Sequence, residues 1–140
     1  MFQINLVRII VSMQKVDLAE TNNLSHYTQL VSPDVLAELQ HLAATLKGKK
    51  IVEINATSFG GGVAELLQSQ VPLMRELGLD VDWYVLPPND QFFATTKQLH
   101  NCLQGMCPLH PNVDIEFYQT YSDTIAKQLP EADIYILHDP

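Results

Sequence analysis

The sequence predicts an α/β domain of the doubly wound class, in which helices cover a parallel sheet. Three short apolar runs, at residues 51–55, 81–86 and 133–138, have the length and composition of buried strands. Longer segments with helical periodicity separate these runs, and strands that alternate with helices form parallel sheets with right-handed crossovers. The 140 residues are enough for one domain with a hydrophobic core.

The N-terminal part of the chain lacks a regular pattern. Residues 2–11 are mostly apolar and predict a strand, although their alternation is imperfect. Arg8 interrupts this run and no small-residue cleavage site follows it, so no signal peptide is predicted and the cytoplasm is the expected location. Residues 14–31 are mixed and polar, which predicts a surface connection.

Helical periodicity predicts three helices, at residues 33–47, 63–77 and 90–104. Ser32 is a suitable N-cap for the first. Pro72 lies inside the second and is expected to bend it, because proline has no amide hydrogen to donate. The apolar stripes of these helices are Val35, Leu36, Leu39, Leu42, Ala43 and Leu46, then Val63, Leu66, Leu67, Leu73, Met74 and Leu77, then Phe92, Thr96, Leu99 and Leu103.

Residues 111–129 fit two patterns. Val113, Ile115 and Phe117 alternate like a strand, whereas Val113, Phe117, Tyr121 and Ile125 recur every four residues like a helix. The helical pattern is the longer of the two, so we predict a helix.

Composition narrows the class of partner. Eight Lys and Arg residues face sixteen Asp and Glu residues, and the resulting charge of −8 disfavours nucleic acids and anionic membranes. No run approaches the roughly 18 apolar residues of a membrane span. Cys102 and Cys107 are predicted to be reduced thiols. No metal is predicted, because the spacing of these cysteines with His100 and His110 matches no common zinc framework.

A glycine run follows the first predicted buried strand. Gly60, Gly61 and Gly62 lie between that strand and a helix, where exposed amides suit an anion or a hydroxylated ligand. A flexible connection explains the run equally well. The run is not a P-loop, because the Gly-Lys-Ser/Thr ending is absent, and Glu65 occupies the third glycine position of a dinucleotide fingerprint.

Two further groups of polar residues are candidate sites. Lys97, His100, Asn101 and Gln104 share one helix face and could together hold a sugar, although a solvated face is the commoner explanation. His138 and Asp139 end the last predicted strand, at the edge where the glycine run also lies, and a capped strand end explains them equally well. No hydrolase signature is present.

Taken in order, these motifs resemble one known family. The segments at residues 54–67 and 71–78, Phe92-Phe93 with Thr96-Lys97, His100-Asn101 with residues 103–105, and His138-Asp139-Pro140 are similar to the N-terminal domain of the trehalose synthase group of retaining GT-B glycosyltransferases. The resemblance covers about residues 16–140, so residues 1–15 are expected to be an extension. It implies a three-layer, Rossmann-like domain that is the N-terminal half of a GT-B fold.

The resemblance also implies an activity and a set of roles. The family transfers a glucosyl unit from a nucleoside-diphosphate glucose to glucose, with retention, in a cleft between two domains. Gly60, Gly61 and Gly62 would lie near the donor phosphates, and Lys97, His100 and Asn101 would lie on the acceptor side. His138 matches the histidine that approaches the transferred sugar and is the expected catalytic residue. Glu65 and Asp139 complete the expected substrate-binding set.

The family pattern continues beyond Pro140 into a nucleotide-sugar domain, whereas this sequence stops there. We therefore expect an acceptor-binding half that is inactive alone, with a sugar such as glucose and a donor-domain chain or a second copy as its partners. No cofactor is expected, and nucleoside-diphosphate glucose would be the donor substrate. The alternative is a non-catalytic module that acts through self-association or partner binding.

Overall fold

The computed structural model describes residues 12–19, 24–108 and 113–138. The strand predicted at residues 2–11 lies outside them. The elements are β1 (Gln14–Lys15), α1 (Leu24–Tyr27), α2 (Pro33–Thr45), β2 (Lys50–Asn55), α3 (Gly62–Glu76), β3 (Asp80–Val85), α4 (Asp90–Leu103), α5 (Ile115–Ala126) and β4 (Ile134–Leu137). The three predicted strands and all four longer helices lie where the sequence predicts them. β4 is not a buried strand as predicted, because Tyr135 and Leu137 are exposed on it.

The four strands form one mixed sheet in the order β1-β3-β2-β4. β2 pairs in parallel with both β3 and β4, whereas β1 pairs antiparallel with β3. The prediction of a wholly parallel sheet is therefore wrong at this edge, and so is the prediction that residues 14–31 are only a surface connection. β1 escapes sequence analysis because it has two polar residues, yet the Val16 amide extends its pairing by donating to the Trp83 carbonyl at 2.8 Å.

Helices pack on both faces of this sheet and give three layers. Alternate residues of β2 point to opposite faces: Ile51 packs with Leu67 and Val71 of α3, and Val52 packs with Phe92 of α4 and Ile125 of α5. The predicted α/β class is confirmed, with helices on both sides of a sheet in which β3, β2 and β4 are parallel.

Side-chain caps begin three of the helices. Ser32, Asn89 and Asp114 each accept a hydrogen bond from the backbone amide three residues ahead, which satisfies a donor that the first helical turn leaves free. α5 confirms the helical pattern at residues 111–129. Pro72 is buried inside α3, and the helix continues through it to Glu76.

α2 buries less of its apolar stripe than its periodicity predicts. Among its residues only Ala43 is buried, while Val35, Leu39 and Leu42 remain 44%, 39% and 53% exposed. Leu103, at the end of the predicted stripe of α4, is 89% exposed. Within the described residues, no helix combines the length and apolar character needed to cross a membrane.

The two cysteines form a disulfide, so the prediction of reduced thiols is wrong. Cys102 lies in the last turn of α4, and the chain then folds back on itself. The amides of Gly105 and Met106 donate to the carbonyls of Cys102 and Asn101, which returns Cys107 to the helix end.

Candidate functional site

The strand order creates a switch point between β2 and β4. The chain leaves β2 for β3 on one side and returns, through α4 and α5, to β4 on the other. In open α/β sheets such a point, at the carboxyl ends of the strands, is where ligands bind. We call this end of the sheet the carboxyl edge. It consists of Asn55, the loop that follows it as far as Gly62, and His138.

His138 stands directly beside β2 at this edge. Its amide donates to the Ile54 carbonyl at 2.9 Å, so the pairing of β2 with β4 continues to this residue. Its imidazole Nε2 lies 2.7 Å from Oε2 of Glu53, and its side chain is 19% exposed. The structure thus places the predicted His138 at the strand end, with a carboxylate against one ring nitrogen.

Glu53 is a member of the site that sequence analysis misses. It lies inside β2 between Val52 and Ile54 and is fully buried. A glutamate within an apolar run resembles an ordinary interruption of a strand, and its partner is 85 residues away in the sequence. The signal that could reveal it is the cost of burying a carboxylate, which requires a specific partner.

Asn55 shapes the start of the loop that follows β2. Its Oδ1 accepts a hydrogen bond of 2.7 Å from the indole Nε1 of Trp83, and its Nδ2 donates to the Thr57 carbonyl at 2.7 Å. The Thr57 hydroxyl then accepts from the Phe59 amide and donates to the Phe59 carbonyl. The loop is therefore a hydrogen-bonded turn that presents Phe59, 78% exposed, at its tip.

The glycine run brings open backbone to the N-terminus of α3. Gly60 and Gly61 adopt φ angles of +70° and +84°, a region that favours glycine. A Cβ at Gly60, Gly61 or Gly62 would meet no atom within 4 Å. Gly61 is the N-cap and provides no side-chain cap, while Glu65 is exposed in the first turn. The glycines thus leave open space beside the backbone, at the position where the sequence analysis expects a ligand.

A cavity lies on α4. Phe93, Thr96, Lys97 and His100 line this α4 cavity, whose volume is about 240 Å³. The structure therefore brings together the predicted Lys97 and His100. The predicted Asn101 is half-buried at the next position of α4 and does not line this cavity.

A second cavity, the edge cavity of about 270 Å³, adjoins the carboxyl edge and shares no lining residue with the α4 cavity. The polar groups that line this cavity come from Asn55, Ser122 and His138 and from the hydroxyl of Tyr118. The remaining lining residues are apolar or aromatic: Ile54, Leu86, Phe92, Ile125, Ala126, Leu129 and Leu137. The predicted residues thus fall into two groups, one at the carboxyl edge and one on α4. Asp139 lies outside the described residues.

Several basic side chains are committed to an ion-pair cluster away from the carboxyl edge. Lys15, Lys50 and Arg75 all contact the carboxylate of Asp82, and Lys50 begins β2 at its amino end. Burial opposes ionisation of Asp82, but hydrogen bonds and charge from the two lysines outweigh it and lower the pKa of this carboxyl. No group of three metal-ligating side chains occurs in the part of the chain that the structure describes.

The fold and the carboxyl edge define a class, a doubly wound α/β domain that presents a glycine run and a carboxylate-bound histidine at its switch point. Within that class, residues 53–140 match the family described as the N-terminal domain of trehalose synthase, and the chain belongs to this family. The family identified from sequence motifs is confirmed.

Named relatives agree with this family. The trehalose synthase of Rubrobacter xylanophilus is 41% identical over 121 residues, which are 84% of this chain and 29% of the relative. The trehalose synthase of Thermococcus litoralis is 37% identical over 124 residues, 86% of this chain and 30% of the relative. A trehalose phosphorylase of Pleurotus pulmonarius is 36% identical over 87 residues, 61% of this chain. The chain thus spans about 30% of the trehalose synthases that it matches.

Proposed function

We propose that this chain is the acceptor-binding half of a trehalose-synthase-like retaining glucosyltransferase. In the complete reaction a glucosyl unit would pass from a nucleoside-diphosphate glucose to glucose. The observation that carries the proposal is the extent of the family match, which begins at Glu53 and takes in Gly60, Gly61, Gly62 and His138. The chain would be the N-terminal half of a GT-B fold, and the carboxyl edge would face the cleft between the two halves.

At the carboxyl edge, backbone and imidazole would have separate tasks. The open amides at the start of α3 suit the phosphates of the donor, because a helix N-terminus favours negative charge. The imidazole of His138 would hydrogen-bond a hydroxyl of the transferred sugar or stabilise charge that develops during transfer. Glu65 and Asp139 would also bind substrate, as the family resemblance implies.

The α4 cavity would hold the acceptor. Lys97 and His100 line it next to Phe93, so that polar groups and an aromatic ring meet in one concave surface. A few convergent polar groups in a largely apolar cavity are typical of sites for small organic ligands. Asn101, the next residue of α4 after His100, would supply a further hydrogen bond.

A donor domain outside these 140 residues would supply the grip on the diphosphate. Two observations support this requirement. The chain spans 29–30% of the trehalose synthases that it matches, and three of its eight basic residues are engaged by Asp82. Bidentate binding of phosphate depends on free cationic groups. No cofactor takes part in the proposed reaction.

An exchange of segments tests this function. This chain replaces the 121-residue segment that it matches in the Rubrobacter relative, and trehalose formation from nucleoside-diphosphate glucose and glucose is measured. We expect the chimera to form trehalose, the chain alone to form none, and His138→Ala to abolish the activity of the chimera while Glu38→Gln, an exposed change on α2, leaves it intact. A folded chimera that binds the donor but forms no trehalose contradicts the proposal. Trehalose made by the chain alone contradicts the need for a donor domain.

The exposed stripe of α2 favours a second candidate function, that of a non-catalytic module that self-associates or binds a partner. Val35, Leu39 and Leu42 are spaced four and three residues apart, so they form one apolar surface on the helix. Exposed apolar surfaces of this kind drive association. Sedimentation should then reveal concentration-dependent oligomers that Leu39→Glu abolishes. A monomer at all concentrations removes self-association.

A further inference from the structure

Glu53 is buried at a cost that packing does not explain. It lies in the central strand of the sheet, is fully buried, and has apolar neighbours on both sides in the sequence. An apolar side chain at this position would avoid the cost of removing a carboxylate from water. A carboxylate in such a place therefore points to a reason other than stability.

The contacts of the carboxylate identify its partner. Oε2 lies 2.7 Å from Nε2 of His138, whereas Oε1 is buried and has no hydrogen-bond partner among the described residues. Register explains the contact. Glu53 pairs with Ile136, and His138 is two residues further along, so both side chains project from the same face of neighbouring strands.

We propose that Glu53 is a positioning residue for His138. Its carboxylate holds the proton of the His138 ring at Nε2, and this leaves Nδ1 of the same ring to contact a sugar hydroxyl. The proposal rests on the function proposed above, which brings a sugar to His138. With the carboxylate accepting from Nε2–H, a neutral imidazole carries its lone pair on Nδ1 and accepts a hydrogen bond there. A carboxylate that orients an imidazole in this way fixes both the tautomer and the plane of the ring.

Water has little access to this contact, because the His138 side chain is only 19% exposed and Glu53 is fully buried. The orphan Oε1 of Glu53 is consistent with a carboxylate that serves this one partner rather than a wider network.

Two variants of Glu53 separate positioning from a structural role. Glu53→Met keeps the length of the side chain and removes the acceptor, whereas Glu53→Gln keeps a neutral acceptor and serves as the conservative rescue. Glu38→Gln, exposed on α2, is the matched control. Folding of each variant is checked by the dispersion of its amide NMR spectrum and by its urea unfolding midpoint.

The first readout is the tautomer of His138, measured without sugar. Long-range proton–nitrogen correlation spectra of the chain labelled with ¹⁵N-histidine report which ring nitrogen carries the proton, and the exposed His26 and His41 serve as internal references. We expect a protonated Nε2 in the wild type, a mixture of tautomers in Glu53→Met, and the wild-type pattern in Glu53→Gln and Glu38→Gln. An unprotonated Nε2 in the wild type, or a folded Glu53→Met with an unchanged tautomer, overturns the proposal.

The second readout is the affinity for glucose at the carboxyl edge, where glucose stands in for the transferred glucosyl unit. It is taken from chemical shifts at His138, and glucose in the α4 cavity is followed separately at His100. We expect Glu53→Met to weaken binding by about tenfold, with partial recovery in Glu53→Gln. If a folded Glu53→Met binds glucose with unchanged affinity, Glu53 only helps to hold β2 and β4 together, and the proposal is overturned. If the wild type itself shows no glucose-dependent shift, the function proposed above fails. That failure is distinct, because the tautomer spectra still report whether Glu53 holds the proton.

Discussion

The backbone conformation of the carboxyl edge can be tested with two alanine variants at adjacent positions, Gly61→Ala and Gly62→Ala. Gly61 adopts φ 84° and ψ 155°, a combination that is essentially restricted to glycine, and a Cβ there would meet no atom within 4 Å. Gly61→Ala should therefore destabilise the fold through backbone strain alone, by about 1–3 kcal/mol. Gly62 begins α3 without a positive φ, so Gly62→Ala should stabilise by about 0.4–1 kcal/mol, because it restricts the unfolded chain.

The two variants are compared by urea unfolding, monitored by circular dichroism. The free energies of unfolding should differ by about 1.4–4 kcal/mol, because the two effects have opposite signs. The free energy of unfolding of a small domain falls by about 2 kcal/mol per molar urea, so the midpoints should lie about 0.7–2 M apart. The wild type should lie between the variants. Equal midpoints, or a Gly62→Ala that is the less stable of the two, would refute the conformation assigned to the glycine run.

Other consequences of the structure can be measured on the same chain. Asn55→Ala removes the acceptor of the buried Trp83 indole, so the free energy of unfolding should fall by about 1–3 kcal/mol; the fluorescence of this single tryptophan reports it, and an unchanged midpoint contradicts it. The burial of Asp82 is outweighed by two lysines, which lower the pKa of its carboxyl in the folded state. The ionised carboxyl therefore stabilises the fold at any pH above its pKa in the unfolded chain, about 3.9, and this stabilisation is lost as the pH falls through its lower pKa in the folded state. The melting temperature of the wild type should thus exceed that of Asp82→Asn at neutral pH, the gap should close below about pH 4, and a gap that stays constant contradicts the ion-pair cluster. Cys102 and Cys107 should resist alkylation in denaturant until a reductant is added, as mass spectrometry would show; two alkylated thiols without reductant contradict the disulfide.

The elements that sequence analysis predicts well are those that a local signal specifies. β2, β3 and β4 are short apolar runs, and α2 to α5 have helical periodicity with polar caps at Ser32, Asn89 and Asp114. β1 has no such signal, because two polar residues become a strand only through the exposed edge of β3. Its antiparallel pairing is a tertiary effect that no local pattern contains.

The site divides along the same line. Gly60, Gly61 and His138 are visible because the glycines follow a strand and the histidine ends one. Sequence analysis cannot predict the role of Glu53, because its contact with His138 depends on the register between β2 and β4. That register brings together two side chains that are 85 residues apart in the sequence. The exposed stripe of α2 shows the opposite limit. Periodicity correctly predicts that this helix has an apolar face, but it does not show whether another part of the domain covers that face.

The most direct test of the account is a glucose titration followed in the amide spectrum of the ¹⁵N-labelled chain. The carboxyl edge and the α4 cavity are the surfaces proposed to meet the sugar. The account predicts saturable shifts at Gly60, Gly61, Gly62, His100 and His138, with a smaller response to an open-chain polyol at the same concentration. Absence of shifts at millimolar glucose, or shifts confined to the exposed stripe of α2, would contradict the assignment of this domain as an acceptor-binding half.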